Sequence, residues 1–230
     1  MRDLTPYERR LTQMQEEIAG NARISVWHEE NEVSADLDED PGAAFRLIAE
    51  RYGMELAPYF HRSYVRFSRL WTFWRVEDGD TSTQGEFRIG NLSDALGTLP
   101  PPFSVRSSTP AERRLHSALR VIDDRPESGT GNLAALRLQP GVADPDLWYF
   151  HLGLGALRMD VDYQEYLDAL ILTKGMPGWQ FLFCDLSKEV RGDYNWTSAS
   201  SRLKTMLDVF PDLFPGHDYS DLRARLKERS

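Results

Sequence analysis

Seven carboxylates and no base stand within the twelve residues 29–40: Glu29, Glu30, Glu32, Asp36, Asp38, Glu39 and Asp40. Two kinds of chemistry suit such a run. Closely spaced oxygen ligands can hold Ca²⁺, and exposed carboxylates can meet a basic partner. The Ca²⁺-binding loop of a helix–loop–helix site needs a glycine at its sixth position. In Asp36-Leu37-Asp38-Glu39-Asp40-Pro41 a proline stands there. The run therefore reads as a solvated, exposed loop, and Asp36, Asp38, Glu39 and Asp40 are the candidate partner-contact residues. Asp160-Val161-Asp162 is better read as a strand end followed by a helix cap.

Other chemistry-bearing residues are scattered. The five histidines, His28, His61, His116, His151 and His217, include no pair at ligand spacing, so a helical His-Glu-x-x-His zinc motif is absent. His151 sits in an apolar stretch beside Phe150, where a satisfied or edge-exposed imidazole is the expectation. His28 adjoins the acidic run and is the one histidine with metal-ligand character. The single cysteine, Cys184, lies in Phe-Leu-Phe-Cys-Asp-Leu. One cysteine excludes an internal disulfide and a thiolate cluster, and its apolar neighbours predict a buried, inert thiol. There is no Gly-x-Ser-x-Gly elbow and no Walker-type phosphate loop. The glycines of Gly85-Glu86-Phe87-Arg88-Ile89-Gly90 are misplaced for a dinucleotide fingerprint. No catalytic residue, metal site or cofactor is expected from motifs, although acid pairs can converge in three dimensions only.

The formal net charge of -9 over 230 residues disfavours nucleic acid, whose phosphates need Lys and Arg, and favours a basic partner. The first residues carry no apolar run, and no stretch approaches the roughly 18 apolar residues of a membrane span. A cytoplasmic location is therefore expected. With 41% hydrophobic residues, the chain can build a substantial core.

The elements that must position these residues follow from caps and periodicity. Thr5-Pro6-Tyr7-Glu8 is a capping box with proline at the first helical position, and Tyr7, Leu11, Met14 and Ile18 share one face. A strand is expected from Arg23 to His28, and Asp40 caps a second helix ended by Gly53. Tyr64 to Val76 alternates two partly apolar sets, which predicts a strand covered on both faces. It returns through a polar turn, Glu77 to Gly85, into Phe87-Arg88-Ile89. Leu99-Pro100-Pro101-Pro102-Phe103 is a rigid connector. Thr109 to Glu112 repeats the capping box and starts a helix through Leu115 and Leu119. Arg125 to Asn132 reads as a loop. Strands are expected at Leu133 to Leu138, Leu147 to Leu152 and Ala156 to Met159. Asp162 and Glu165 cap a helix through Tyr166 and Leu170 that ends at Gly175. Leu203, Met206, Leu207 and Phe210 form a further helix ended by Pro211, and Leu222 and Leu226 lie in a C-terminal helical turn. Strands cluster without alternating regularly with helices, so the expected class is α+β: a mixed or antiparallel sheet flanked by helices. One domain over 1–230 is expected, with an N-terminal helical and acidic extension at 1–60, a core at 61–215 and a C-terminal helix at 216–230.

Over about residues 96–185 the chain resembles the SUKH superfamily, which includes bacterial toxin-immunity proteins and the yeast cell-wall-assembly regulator. The resemblance is carried by Leu96-Gly97-Thr98-Leu99-Pro100, Trp148-Tyr149-Phe150, the glycine turn after it, Asp162-Tyr163-Gln164-Glu165-Tyr166-Leu167 and Gly178-Trp179-Gln180-Phe181-Leu182-Phe183. The family's Asn-Gly-Gly segment is not evident, and residues 1–90 are longer than its usual N-terminal part. The resemblance implies an α+β fold and a non-catalytic, protein-binding function. A member of this kind could be an immunity protein that neutralises a basic, nuclease-type toxin. A regulatory adaptor of the same fold and an enzyme using a carboxylate pair are the alternatives. The oligomeric state is left open.

Overall fold

The computed structural model describes residues 3–77, 83–102 and 109–229. Part of the turn expected after Val76 (residues 78–82) and the last residue of the proline stretch, Phe103, lie outside them. Among the described residues the chain forms eight α-helices and seven strands, all in one sheet. In chain order they are α1 (Pro6–Ala19), β1 (Ile24–Val33), α2 (Pro41–Tyr52), β2 (Phe67–Val76), β3 (Gln84–Ile89), α3 (Leu92–Gly97), α4 (Pro110–Ala118), β4 (Leu119–Asp124), β5 (Leu133–Arg137), β6 (Leu147–His151), β7 (Gly155–Arg158), α5 (Tyr163–Thr173), α6 (Lys188–Arg191), α7 (Tyr194–Leu213) and α8 (Ser220–Arg229). Short 3-10 turns occupy Pro58–His61 and Trp179–Phe183.

The sheet is a fully antiparallel meander in the order β1-β2-β3-β4-β5-β6-β7, flanked by helices, so the class is α+β. The register defines its two faces. Asn31, Leu70, Ile89, Asp123, Ala134, Tyr149 and Leu157 stand in one cross-strand row. Glu30, Trp71, Arg88, Asp124, Leu133, Phe150 and Ala156 stand in the neighbouring one. Successive strand residues point to opposite faces, so the two rows face opposite ways. The first faces α1, α5 and α7: Gln15 of α1 donates to the Thr72 hydroxyl, and Trp74 packs on Phe210 of α7 and Phe214. On the second, the ring of His116 in α4 meets Phe150 edge-on.

The local reasons for these elements are visible. Reciprocal capping boxes form at Thr5/Glu8, Thr109/Glu112 and Asp162/Glu165, and Gly53 closes α2 in the left-handed region at φ 64°. The apolar stripe Tyr7, Leu11, Met14 and Ile18 is buried in the core. Gly85 is required by close approach: a Cβ there would lie 2.4 Å from both the Trp74 indole nitrogen and the Lys174 carbonyl, which are hydrogen-bonded to each other. Residues 1–60, expected as an extension, place α1 in the common core and β1 in the common sheet.

Three expectations are corrected, and four short elements are added. The acidic run is not one loop, because β1 continues to Val33 and carries Glu29, Glu30 and Glu32. Its position at the sheet edge allows charged side chains in a strand. Leu119 begins β4 rather than continuing α4, and β4 runs to Asp124. Two 3-10 turns and the short helices α3 and α6 were not foreseen. Pro211 does not end α7, which runs to Leu213. A proline lacks the N–H that would bond the carbonyl four residues earlier, here Leu207, and the Arg223 guanidinium of α8 donates to that carbonyl instead.

Candidate functional site

The four sequence-predicted contact residues lie in the segment between β1 and α2, all exposed. Three have local work. Asp40 caps α2, accepting from Gly42 and Ala43 N–H. The Asp38 carboxylate accepts from Asp40 N–H, and its carbonyl accepts from the Tyr64 hydroxyl. Glu39 stands 3.7 Å from the guanidinium of Arg66, whose main partner is the buried Glu8. Asp36 donates its N–H to the Ser34 hydroxyl and leaves its carboxylate to solvent.

Ahead of this segment, β1 forms an edge strand that joins the carboxylates to an aromatic surface. A bulge between Val26 and His28 leaves Trp27 without a partner on β2, and its side chain is 63% exposed. The Trp27 ring lies edge-on to Phe73 at 6.0 Å, and Arg75 sits 4.5 Å above it. The His28 ring lies tilted against that of Trp71, 3.6 Å between ring centroids, and contacts Glu30 at 2.8 Å. Glu30 is also paired with Arg69 at 2.7 Å, and its hydrogen bonds with Arg69 and then His28 lower its pKa. Glu30 is thus largely neutralised. Glu29 and Glu32 remain exposed along the same edge, within reach of Asp36 and Asp38 along the chain. Alternation sets Ser25 and Trp27 opposite Ile24 and Val26, and what it does not show is the bulge that leaves Trp27 unpaired.

Candidate chemistry elsewhere resolves as follows. Among the described residues no group of three or more His, Cys, Asp or Glu side chains could hold a metal ion. His28, the histidine with ligand character, is committed to Trp71 and Glu30. Cys184 is buried, its thiol donates to the Gln180 carbonyl, and burial pushes its pKa up. That agrees with the expected inert thiol. A surface cleft of about 660 Å³ gathers Asp144, Asp146, Asp160, Asp162 and Asp185. Asp144 accepts from the Tyr59 hydroxyl, Asp146 pairs with Arg158, Asp160 with Arg229, and Asp162 caps α5. The cleft is thus where a carboxylate-pair reaction would have to be built, and four of its five aspartates are already bound to structural partners.

A buried polar set beneath β4 was not foreseen. Asp123 faces the core and is 2% exposed; its carboxylate accepts from the Tyr166 hydroxyl at 2.6 Å and from Arg88 N–H at 3.1 Å. Burial raises its pKa to about 7 against the opposing pull of Arg125 and Tyr166. Arg125, 4% exposed, donates to the Met176 carbonyl and to Gln180. The sequence signal was an apolar-acidic boundary, Val121-Ile122-Asp123-Asp124-Arg125, that hid a strand. No family model, curated protein or solved structure matches the chain.

Proposed function

We propose that the chain is a non-catalytic binding protein that engages a basic protein partner along the acidic edge of β1. The observation that carries this reading is Trp27, a large aromatic side chain 63% exposed on an edge strand whose later residues include the exposed carboxylates Glu29 and Glu32. Interface hot spots are enriched in tryptophan, and a fringe of like charge selects a partner of opposite sign and speeds encounter with it. The proposed contact differs from the four acids Asp36, Asp38, Glu39 and Asp40 because of what their side chains already hold. Asp40 and Glu39 serve α2 and Arg66, whereas Trp27, Glu29, Glu32 and Asp36 have the freer side chains.

The resemblance to the SUKH superfamily supports a more specific reading, an immunity protein whose partner is a basic, nuclease-type toxin. An acidic strip of this kind would occupy the surface that such a toxin offers to phosphates. The test is affinity capture from the source cells with the wild-type chain and with a Trp27→Ala, Glu29→Lys, Asp36→Lys variant. One stoichiometric basic protein, retained by the wild type and lost by the variant, is the expected result. Equal retention by both overturns the assigned surface. Capture of several unrelated proteins would favour the adaptor.

A further inference from the structure

We infer that the cavity between the end of β6 and the face of α7 is a binding site for a small monocarboxylate with an apolar body. The cavity encloses about 200 Å³. That is below the ~300–1,000 Å³ of sites for drug-sized ligands. Tyr149 and His151, two residues apart on β6, lie on the same face of the sheet, and Phe181 closes the cavity against both. The Phe181 ring is 5.2 Å from Tyr149 and 5.4 Å from His151. Arg202 enters from α7, and Asn132 and Gln84 complete the polar wall.

Three features give the cavity its chemistry. First, it is rich in donors and none of its lining residues is acidic, although the whole chain is at -9. Arg202 has no hydrogen bond or ion pair among the described residues. A free guanidinium presents a planar fork that matches a carboxylate. Second, the Tyr149 hydroxyl is buried and has no hydrogen-bond partner among the described residues. Buried polar groups without a partner are rare in folded proteins, because each costs about 1–3 kcal/mol. A ligand oxygen would satisfy it. Third, Gly153 N–H donates to His151 Nδ1 at 3.2 Å. The neutral ring therefore carries its proton on Nε2, which is left as a donor. Burial, with Arg202 and Arg125 adding to it and Asp193 opposing, lowers the His151 pKa and so favours the neutral ring. One full positive charge among neutral donors suits a monoanion better than a phosphate dianion. Phe181 and Met176 offer the apolar wall.

The probe is benzoate, titrated into the full chain at pH 7.5 and low salt, with binding followed by ligand-observed NMR and by the shift in Tm. Benzoate should bind the wild type, and Arg202→Gln, on an exposed helical position, should weaken it at least tenfold. Tyr149→Phe should weaken binding severalfold while raising the Tm of the ligand-free protein, because it removes a buried hydroxyl that has no partner. That opposite movement separates a ligand contact from a structural role. No binding of benzoate, or equal binding by wild type and Arg202→Gln, overturns the site. Inorganic phosphate binding in place of benzoate also overturns the assignment to a monocarboxylate.

Discussion

The carboxylate of Glu8 and the guanidinium of Arg66 form an ion pair in which both side chains are fully buried, at 2.7 Å. Glu8 accepts from Arg66 Nε, Arg66 Nη2 and Arg66 N–H, and also from Thr5 N–H as the third residue of the α1 cap. One side chain thus closes the first turn of α1 and bolts it to the residue that leads into β2. Burial by itself would raise the Glu8 pKa, and the hydrogen bonds from Arg66 and Thr5 overcome it, so the group titrates below its ordinary value. Arg66→Met, which strands a buried carboxylate, should cost about 3–5 kcal/mol. Adding Glu8→Gln should recover much of that loss, because no charge then remains buried. Urea unfolding of the three proteins checks this.

Trp27 should behave in the opposite way. Its ring is mostly in water, so Trp27→Ala should change stability by no more than about 0.5 kcal/mol, as surface substitutions do. Partner affinity should nevertheless fall by tenfold or more, the usual effect of losing an aromatic anchor. Glu29→Lys and Asp36→Lys should act mainly on the association rate, with an effect that shrinks as salt is raised. Stopped-flow binding at two ionic strengths separates these contributions.

Gly85 gives a packing prediction. A methyl group there meets the Trp74 indole and the Lys174 carbonyl at 2.4 Å, and neither is the far end of a flexible chain. Gly85→Ala should therefore cost about 1–3 kcal/mol and disturb the indole hydrogen bond. Gly192→Ala is the control. Its nearest atoms lie at 3.6 Å and its φ is -82°, so the substitution should be neutral or mildly stabilising. Thermal unfolding with tryptophan emission as the probe reports both.

What was legible in the sequence was local. The boxes at Thr5/Glu8, Thr109/Glu112 and Asp162/Glu165 are complete within four residues, so they could be read without any partner element. The two-sided pattern of Tyr64 to Val76 announced a strand apolar on both faces, and Phe73 and Trp74 are both buried. What was not legible depended on distant chain. β4 went unseen because Asp123 interrupts its apolar pattern, and its partners, the Tyr166 hydroxyl 43 residues away and the Arg88 N–H, come from distant chain. The acidic half of β1 looked like loop because an edge strand, unlike an interior one, does not need apolar alternation. Pro211 looked like a stop because Arg223 could not be foreseen as the donor to Leu207. Of the candidate contact, the charges were legible and the exposed Trp27 was not, since exposure is set by the bulge and by the end of the sheet.

Asp123 makes stability depend on pH in a direction opposite to that of most acids. Its pKa in the folded protein is raised to about 7 from 3.8, mainly by burial. The folded state therefore holds a proton that the unfolded chain has already released between those two values. The stability associated with the protonated carboxyl is complete below about pH 4 and is lost as pH rises to about 7, beyond which the loss levels off. At 1.36 kcal/mol per unit, a shift of this size corresponds to about 4 kcal/mol. Glu8 works in the other sense: its stabilising charge is present above its unfolded value of 4.5 and is lost as pH falls through its lower folded pKa. Together the two groups should place maximum stability near pH 4–5, with a decline toward pH 7. Asp123→Asn keeps an oxygen acceptor beside Tyr166 and cannot ionise, so its unfolding free energy should fall by about 2–3 kcal/mol less than that of the wild type between pH 5 and pH 8. Urea unfolding at the two pH values measures the difference, and identical declines in the two proteins would remove Asp123 as the cause.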